Sequence, residues 1–201
     1  MARLKPRPAH ARFPFNEDAG YAARLPSPAG CGVGVGVAAR APGVLGGAAL
    51  GLEVRRATPA DADAIGRIQV ETWTAAYARL LPREVIDGFD VEARQAMWRE
   101  GLARTPRPGS ATFVVVADEV VGFATVGAAR DEDDAGELYA IYVHPSSWST
   151  GAGRAMIERA ETSMRESGFP HALLWVLAGN ERAERFYRAA GWEHDGEKED
   201  D

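Results

Sequence analysis

Trp148-Ser149-Thr150-Gly151-Ala152-Gly153-Arg154 is the stretch of this 201-residue sequence whose residue types and spacing point most directly to chemistry. Gly151 and Gly153 let a backbone come close to a bound group. A helix is expected to start at this point, and the first N–H groups of a helix have no partner inside it. Together with the helix dipole they form a site for a phosphate or pyrophosphate. An ordinary tight turn would show the same Gly-x-Gly. No Gly-Lys-Ser/Thr follows, so this is not a P-loop. Nor does it open a first strand–helix unit with Gly-x-Gly-x-x-Gly, as a dinucleotide fold requires. A lone cysteine, Cys31, excludes an internal disulfide, and no Cys-His or Ser-His pairing suggests a covalent intermediate. The four histidines, at 10, 144, 171 and 194, share no metal-ligand spacing, so no metal is expected.

The elements that must position this loop follow from hydrophobic period and breakers. Leu52–Arg56 reads as a short strand. Thr58-Pro59-Ala60-Asp61 supplies a capping hydroxyl, a proline at the first helical position and an acid in the first turn. Ile65, Ile68, Trp73 and Tyr77 then carry a helix to about Ala78, broken by Leu80-Leu81-Pro82. A second helix is expected from Val91 to Ala103. Thr112–Ala117 and Val120–Ala128 form a hairpin across Asp118-Glu119. An acidic loop with Asp131, Glu132, Asp133 and Asp134 leads into a strand, Glu137–Val143, that stops at His144-Pro145. Strict alternation would put Glu137, Tyr139, Ile141 and Val143 on one face. A helix from Gly151 to Ser167, a strand Ala172–Leu177 and a helix Glu181–Ala190 ended by Gly191 complete the pattern. The order implies an α/β (α+β) fold with a mixed sheet flanked by helices.

From about Glu53 to Trp192 the chain resembles the GCN5-related N-acetyltransferase (GNAT) family. The resemblance rests on the strand Glu137–Val143 with His144-Pro145, the loop Trp148–Arg154, and the block Asn180-Glu181-Arg182-Ala183-Glu184-Arg185-Phe186-Tyr187-Arg188-Ala189-Ala190-Gly191-Trp192. Gly151, Gly153 and Arg154 match the family's acyl-CoA loop, whereas Trp148 stands where Gln or Arg is usual. The resemblance implies a mostly antiparallel sheet and an acyl-CoA lying between strands Glu137–Val143 and Ala172–Leu177. It further implies pantetheine pairing with backbone groups of Ile141, Tyr142 and Val143. Pyrophosphate contacts would come from Ser149, Thr150, Gly151, Ala152, Gly153 and Arg154. The N–H of Ile141 would polarise the thioester carbonyl, and an acceptor amine would attack directly. Glu137 would act as the base through water, or be merely a solvated residue ending the acidic loop. Tyr187 would protonate the leaving thiolate, and Asn180 would bind pantetheine or cap the last helix. Acetyl-CoA is thus the expected co-substrate. Two functions fit: an N-acetyltransferase acting on a primary amine, or a non-catalytic acyl-CoA-binding module, which Trp148 and the short C-terminus favour.

Charge and composition bound the partners. Residues 1–52 carry six Lys/Arg against two Asp/Glu, and the remainder 17 against 27, so the folded part is at −10. Such a domain should repel nucleic acid and prefer a cationic small-molecule or peptide amine, with the acidic loop near its entry. The first 52 residues hold nine of 22 glycines and six of 12 prolines, and include the repeat Gly30–Val37. They are expected to be a low-complexity, disordered extension preceding an acetyltransferase domain at 53–201. Arg3, Lys5, Arg7 and Arg12 before the mildly apolar 29–52 only crudely resemble a signal peptide, and Arg40 and Pro42 interrupt that stretch. No run approaches the about 20 apolar residues of a membrane span. The expectation is a cytoplasmic monomer or homodimer without membrane association. The tail Glu193–Asp201, with six acids and one lysine, reads as solvated. The family resemblance implies one or two further strands, for which only Trp192-Glu193-His194 remain, so either the chain is truncated or the sheet closes without that edge.

Overall fold

The computed structural model describes residues 33–39 and 51–200, apart from 79, 81, 131 and 178. The expected N-terminal extension thus lies outside the described residues at 1–32 and 40–50. Its remainder includes a strand, β1 (Val33–Ala39). Then come β2 (Glu53–Arg56), a single 3-10 turn (Pro59–Asp61), α1 (Ala62–Tyr77), α2 (Arg83–Asp87), α3 (Val91–Leu102), β3 (Ala111–Val116), β4 (Val120–Ala128) and β5 (Ala135–Val143). Beyond a second 3-10 turn (Pro145–Ser147) lie α4 (Ala152–Glu166), β6 (His171–Leu177), α5 (Glu181–Ala189) and β7 (Trp192–Asp200). The short helix α2 was not legible, since Pro82 reads as a breaker while it also serves as the N-cap of that helix.

One sheet runs in the order β2-β3-β4-β5-β6-β1-β7. Every neighbouring pair is antiparallel except β5 and β6. The sequence expectation of a mixed, mostly antiparallel sheet flanked by helices is met. Helix α4 packs on one face, over β3, β4 and β5, and α1 and α3 cover the other. The first core joins Phe113, Ala124, Val126 and Leu138 to Met156, Ile157 and Ala160 of α4. The second joins Ile65, Ile68 and Trp98 to Val114 and Phe123. Burying a large apolar side chain contributes about 1.5–3 kcal/mol, so these two layers hold the sheet between its helices.

The start of α1 is fixed as its residues dictate. The Asp61 carboxylate accepts from the Thr58 backbone N–H (2.7 Å), the Thr58 hydroxyl (2.8 Å) and the Arg55 guanidinium (2.8 Å to each oxygen). The Arg55 guanidinium first, and then the Thr58 bonds, outweigh burial and hold this carboxyl at about 2.

Two departures from the sequence reading govern the site. Thr125 pairs with Ala140 and Val126 with Leu138, so Tyr139 is an extra residue, a bulge in β5. The bulge resets the alternation. Leu138 shares a face with Ile141 and Val143, whereas Ala140 and Tyr142 pack with the opposite core. Glu137, one residue before Leu138, therefore does not share the face of Ile141. The second departure is at the chain's other end. The acidic tail, expected to be solvated, forms β7, and β1 lies between β6 and β7, pairing with both.

Candidate active site

Strands β5 and β6 pair only over Ala135–Leu138 and His171–Leu174, and then diverge. Into the gap opens a cleft of about 420 Å³, lined among others by Thr72, Tyr77, Ile141, Val143, Trp175, Asn180 and Tyr187. Its volume is in the range of small-molecule sites. The His144 N–H donates to the Val121 carbonyl on β4 (2.8 Å). Backbone groups alternate sides along a strand. Ile141 and Val143 therefore turn their N–H and C=O groups to the open edge, while those of Tyr142 turn to β4. The carbonyl of Val143 is already engaged: the Trp148 indole N–H donates to it at 2.7 Å, and the Thr72 hydroxyl at 3.3 Å.

The loop from Trp148 to Arg154 closes one end of this cleft and has the conformation of an anion cradle. Ser149 and Gly151 both take left-handed backbone angles, φ 66° and 93°. Successive residues of opposite hand turn their N–H groups inward to one concavity. Gly151 caps α4, so the N–H groups of Ala152, Gly153 and Arg154 belong to the unpaired first turn. Gly153 has a packing role too. A Cβ there would meet the Phe186 ring at 3.2 Å, so glycine lets α4 and α5 approach.

Helix α5 and its cap bring Asn180 and Tyr187 to the cleft. Asn180 accepts the Ala183 N–H (3.2 Å) as N-cap, and Tyr77 of α1 lines the cleft with it. The Tyr142 hydroxyl accepts the Trp73 indole N–H at 3.1 Å. This bond between β5 and α1 was not foreseen, because no sequence spacing links the two residues. Tyr187 lines the cleft beside it, with no protein hydrogen bond to its hydroxyl among the described residues. Burial first, and then the neighbouring Tyr142, push the Tyr187 phenol well above its usual pKa. It stays protonated throughout the working pH range.

Glu137 is placed elsewhere. It is 1% exposed and absent from the lining of the cleft. Its carboxylate accepts the Arg130 backbone N–H (3.2 Å) and the guanidinium Nε–H (3.0 Å), with a further ion pair to the guanidinium terminus. Tyr139 lies against the same guanidinium, 5.4 Å from the ring centre. The acidic loop sits at the start of β5, about 20 Å along the strand from Ile141 at 3.4 Å per residue. Of that loop, Asp131 lies outside the described residues, and Glu132 pairs with His171 (2.6 Å). None of its described members lines the cleft. Among the described residues, no group of His, Cys, Asp or Glu could hold a metal, and no helix is long and apolar enough to cross a membrane.

Comparison with known proteins agrees with this geometry. The model of the acetyltransferase (GNAT) family matches residues 64–192. An uncharacterized N-acetyltransferase of Bacillus subtilis, YuaI, is 28% identical over 131 residues, covering 63% of this chain and 72% of its own. The crystal structure of PaiA N-acetyltransferase from Thermoplasma acidophilum, in complex with coenzyme A, superposes with a TM-score of 0.60 at 17% identity. It covers 75% of this chain and 99% of its own. The aminoglycoside N-acetyltransferase AAC(6')-Iy, in complex with CoA, gives 0.56 at 18% identity, covering 71% and 88%.

Proposed function

The chain belongs to the acetyltransferase (GNAT) family, and we propose that it transfers an acetyl group from acetyl-CoA to a primary amine by direct attack. The observation that carries this reading is the open edge of β5, where Ile141 and Val143 face a cleft that ends in the cradle of Ser149–Arg154. Pantetheine would add to that edge as a strand does, taking the free groups of Ile141 and the N–H of Val143. Its pyrophosphate would take the N–H groups of Ser149, Thr150, Gly151, Ala152, Gly153 and Arg154. The coenzyme A named in the structures of PaiA and of the aminoglycoside enzyme supports this choice of co-substrate.

In the reaction the amine lone pair bonds to the thioester carbon. Charge develops on the carbonyl oxygen, where the Ile141 N–H donates to it. The C–S bond then breaks, the nitrogen of the adduct gives its extra proton to solvent to leave the amide, and the thiolate receives a hydrogen bond from Tyr187. The amine must first shed a proton, since its unperturbed pKa is about 10. Arg130 occupies the Glu137 carboxylate, so we assign proton removal to solvent entering the cleft and give Glu137 the task of fixing β5 to the 128–136 turn. The Trp73–Tyr142 hydrogen bond ties α1 to the wall of the cleft.

The test is release of free thiol from acetyl-CoA with a panel of primary amines, aminoglycosides among them. Amine-dependent release supports the enzyme. Thermal stabilisation by acetyl-CoA with no release on any amine would replace it with the acyl-CoA-binding module.

A further inference from the structure

Trp148 and Arg182 are brought together from different elements. The Arg182 guanidinium carbon lies 3.3 Å from the centre of the Trp148 rings. The indole is itself anchored by its N–H on the Val143 carbonyl, 2.7 Å away. Both residues line the cleft next to Ser149, Gly151 and Arg154. The other arginines of α5 are paired along their own helix, Arg185 with Glu181 and Arg188 with Glu184. Among the described residues Arg182 has no such acid. It also stands in the first turn of α5, where the helix dipole repels a cation. Arg182 is exposed, and partial burial first, and then Arg185, lower its pKa. A cation kept against both the dipole and a neighbouring arginine, beside an anion cradle and with no acid partner among the described residues, is a local conflict of the kind found at binding sites.

We propose that Trp148 and Arg182 form one clamp, in which the indole holds the guanidinium over the cradle to bind a phosphate of the nucleotide part of acyl-CoA. The inference rests on the acetyl-CoA reading above. It adds a specificity: the protein should select nucleotide-bearing thioesters over the bare pantetheine thioester, which offers the same reacting group and no phosphate. Arg182 is then a binding residue and Trp148 a positioning residue. The planar guanidinium stacks on the ring while keeping in-plane donors for phosphate oxygens, which an ammonium could not do.

The experiment measures KM and kcat for acetyl-CoA and for acetyl-pantetheine in the wild type, Arg182→Gln and Trp148→Phe. Losing one charge-assisted hydrogen bond corresponds to about 10- to 100-fold in affinity. Arg182→Gln should therefore raise KM for acetyl-CoA by about that factor at unchanged kcat, and leave KM for acetyl-pantetheine unchanged. Trp148→Phe retains an aromatic face but frees it from Val143, and should give a smaller loss with the same donor selectivity. Repeating the series with the 3′-dephospho thioester assigns the phosphate: a penalty that disappears marks the 3′-phosphate, one that persists the pyrophosphate. Equal losses for both donors, or none for either, would overturn the clamp. Wild-type protein that binds no CoA in calorimetry would overturn the acetyl-CoA reading beneath it, which is a different result from CoA-binding wild type with an indifferent Arg182→Gln.

Discussion

Replacing Tyr187 by phenylalanine tests the chemistry of the cleft with the least disturbance to its packing. The ring contacts Phe186 and Trp192, at centroid distances of 5.3 and 6.4 Å, and phenylalanine keeps both. The hydroxyl has no protein partner among the described residues, so its removal strands no donor or acceptor. Melting temperature and acetyl-CoA affinity should stay as they are. Turnover should not. The phenol pKa is raised, whereas an ordinary thiol titrates at about 8.5. Complete transfer of the proton to the departing sulfur is therefore uphill, by more than about 2 kcal/mol at 1.36 kcal/mol per unit. The expected role is a donated hydrogen bond to the developing thiolate, and loss of one such preorganised donor costs about 10²–10³ in kcat. Thiol release with saturating amine and acetyl-CoA reads this directly. Tyr142→Phe serves as the opposite control: it removes the acceptor of the Trp73 indole N–H, and should lower the melting temperature more than it lowers kcat. An unchanged kcat in Tyr187→Phe refutes the donor. A fall in kcat matched by a fall in stability refutes the separation between chemistry and packing.

Glu137→Gln should lower stability by about 1–3 kcal/mol, since it removes the buried charge that pairs with the partly exposed Arg130 guanidinium. It should not move the pH dependence of kcat/KM, which rises towards the acceptor amine's own pKa; a displaced limb would reinstate Glu137 as the base. Asp61 titrates at about 2 in the folded chain against an ordinary 3.8, so its contribution is complete above about pH 4 and is lost as the pH falls through 2. About 2 kcal/mol of stability should disappear over that interval, and acid unfolding of Asp61→Asn should lack this step. Val37→Pro places a residue without an N–H in β1, where Val37 pairs with Leu174 on one side and His194 on the other. The lost ladder hydrogen bond and its stranded acceptor cost about 1–3 kcal/mol. Because Trp175 and Val176 form one wall of the cleft, acetyl-CoA affinity should fall as well; intact affinity would mean that β6 holds its course without β1.

Much of the framework is legible because it is local. The hairpin Val120–Ala128, the Thr58 cap and the Gly151 start of α4 depend on residues a few positions apart, and each appears where spacing puts it. What escaped was set at a distance. The bulge at Tyr139 carries no glycine or proline to announce it; it exists because β4 runs one residue short against β5. That single extra residue turned Glu137 away from Ile141 and toward Arg130. β1 was hidden by its own composition, since a Gly-Val repeat reads as low complexity until β6 and β7 supply edges for its backbone. The acidic β7 failed for the same reason: β-propensity measures a fit to neighbours, and the neighbour lies at the far end of the sequence.

The place of β1 also imposes an order of assembly. The strands β2 to β5 can meet through short connections, but Val33 must find Asp200 across almost the whole chain. Closing so long a loop costs entropy before any pairing repays it, so this contact should be among the last to form. On the ribosome, at about 5–20 residues per second, β1 emerges roughly ten to thirty seconds before β7 exists. Until residues 171–177 are made, neither β1 nor β5 has β6 beside it. The nascent protein thus carries open strand edges where its cleft will be, and acquires a binding site only once β6 has joined them.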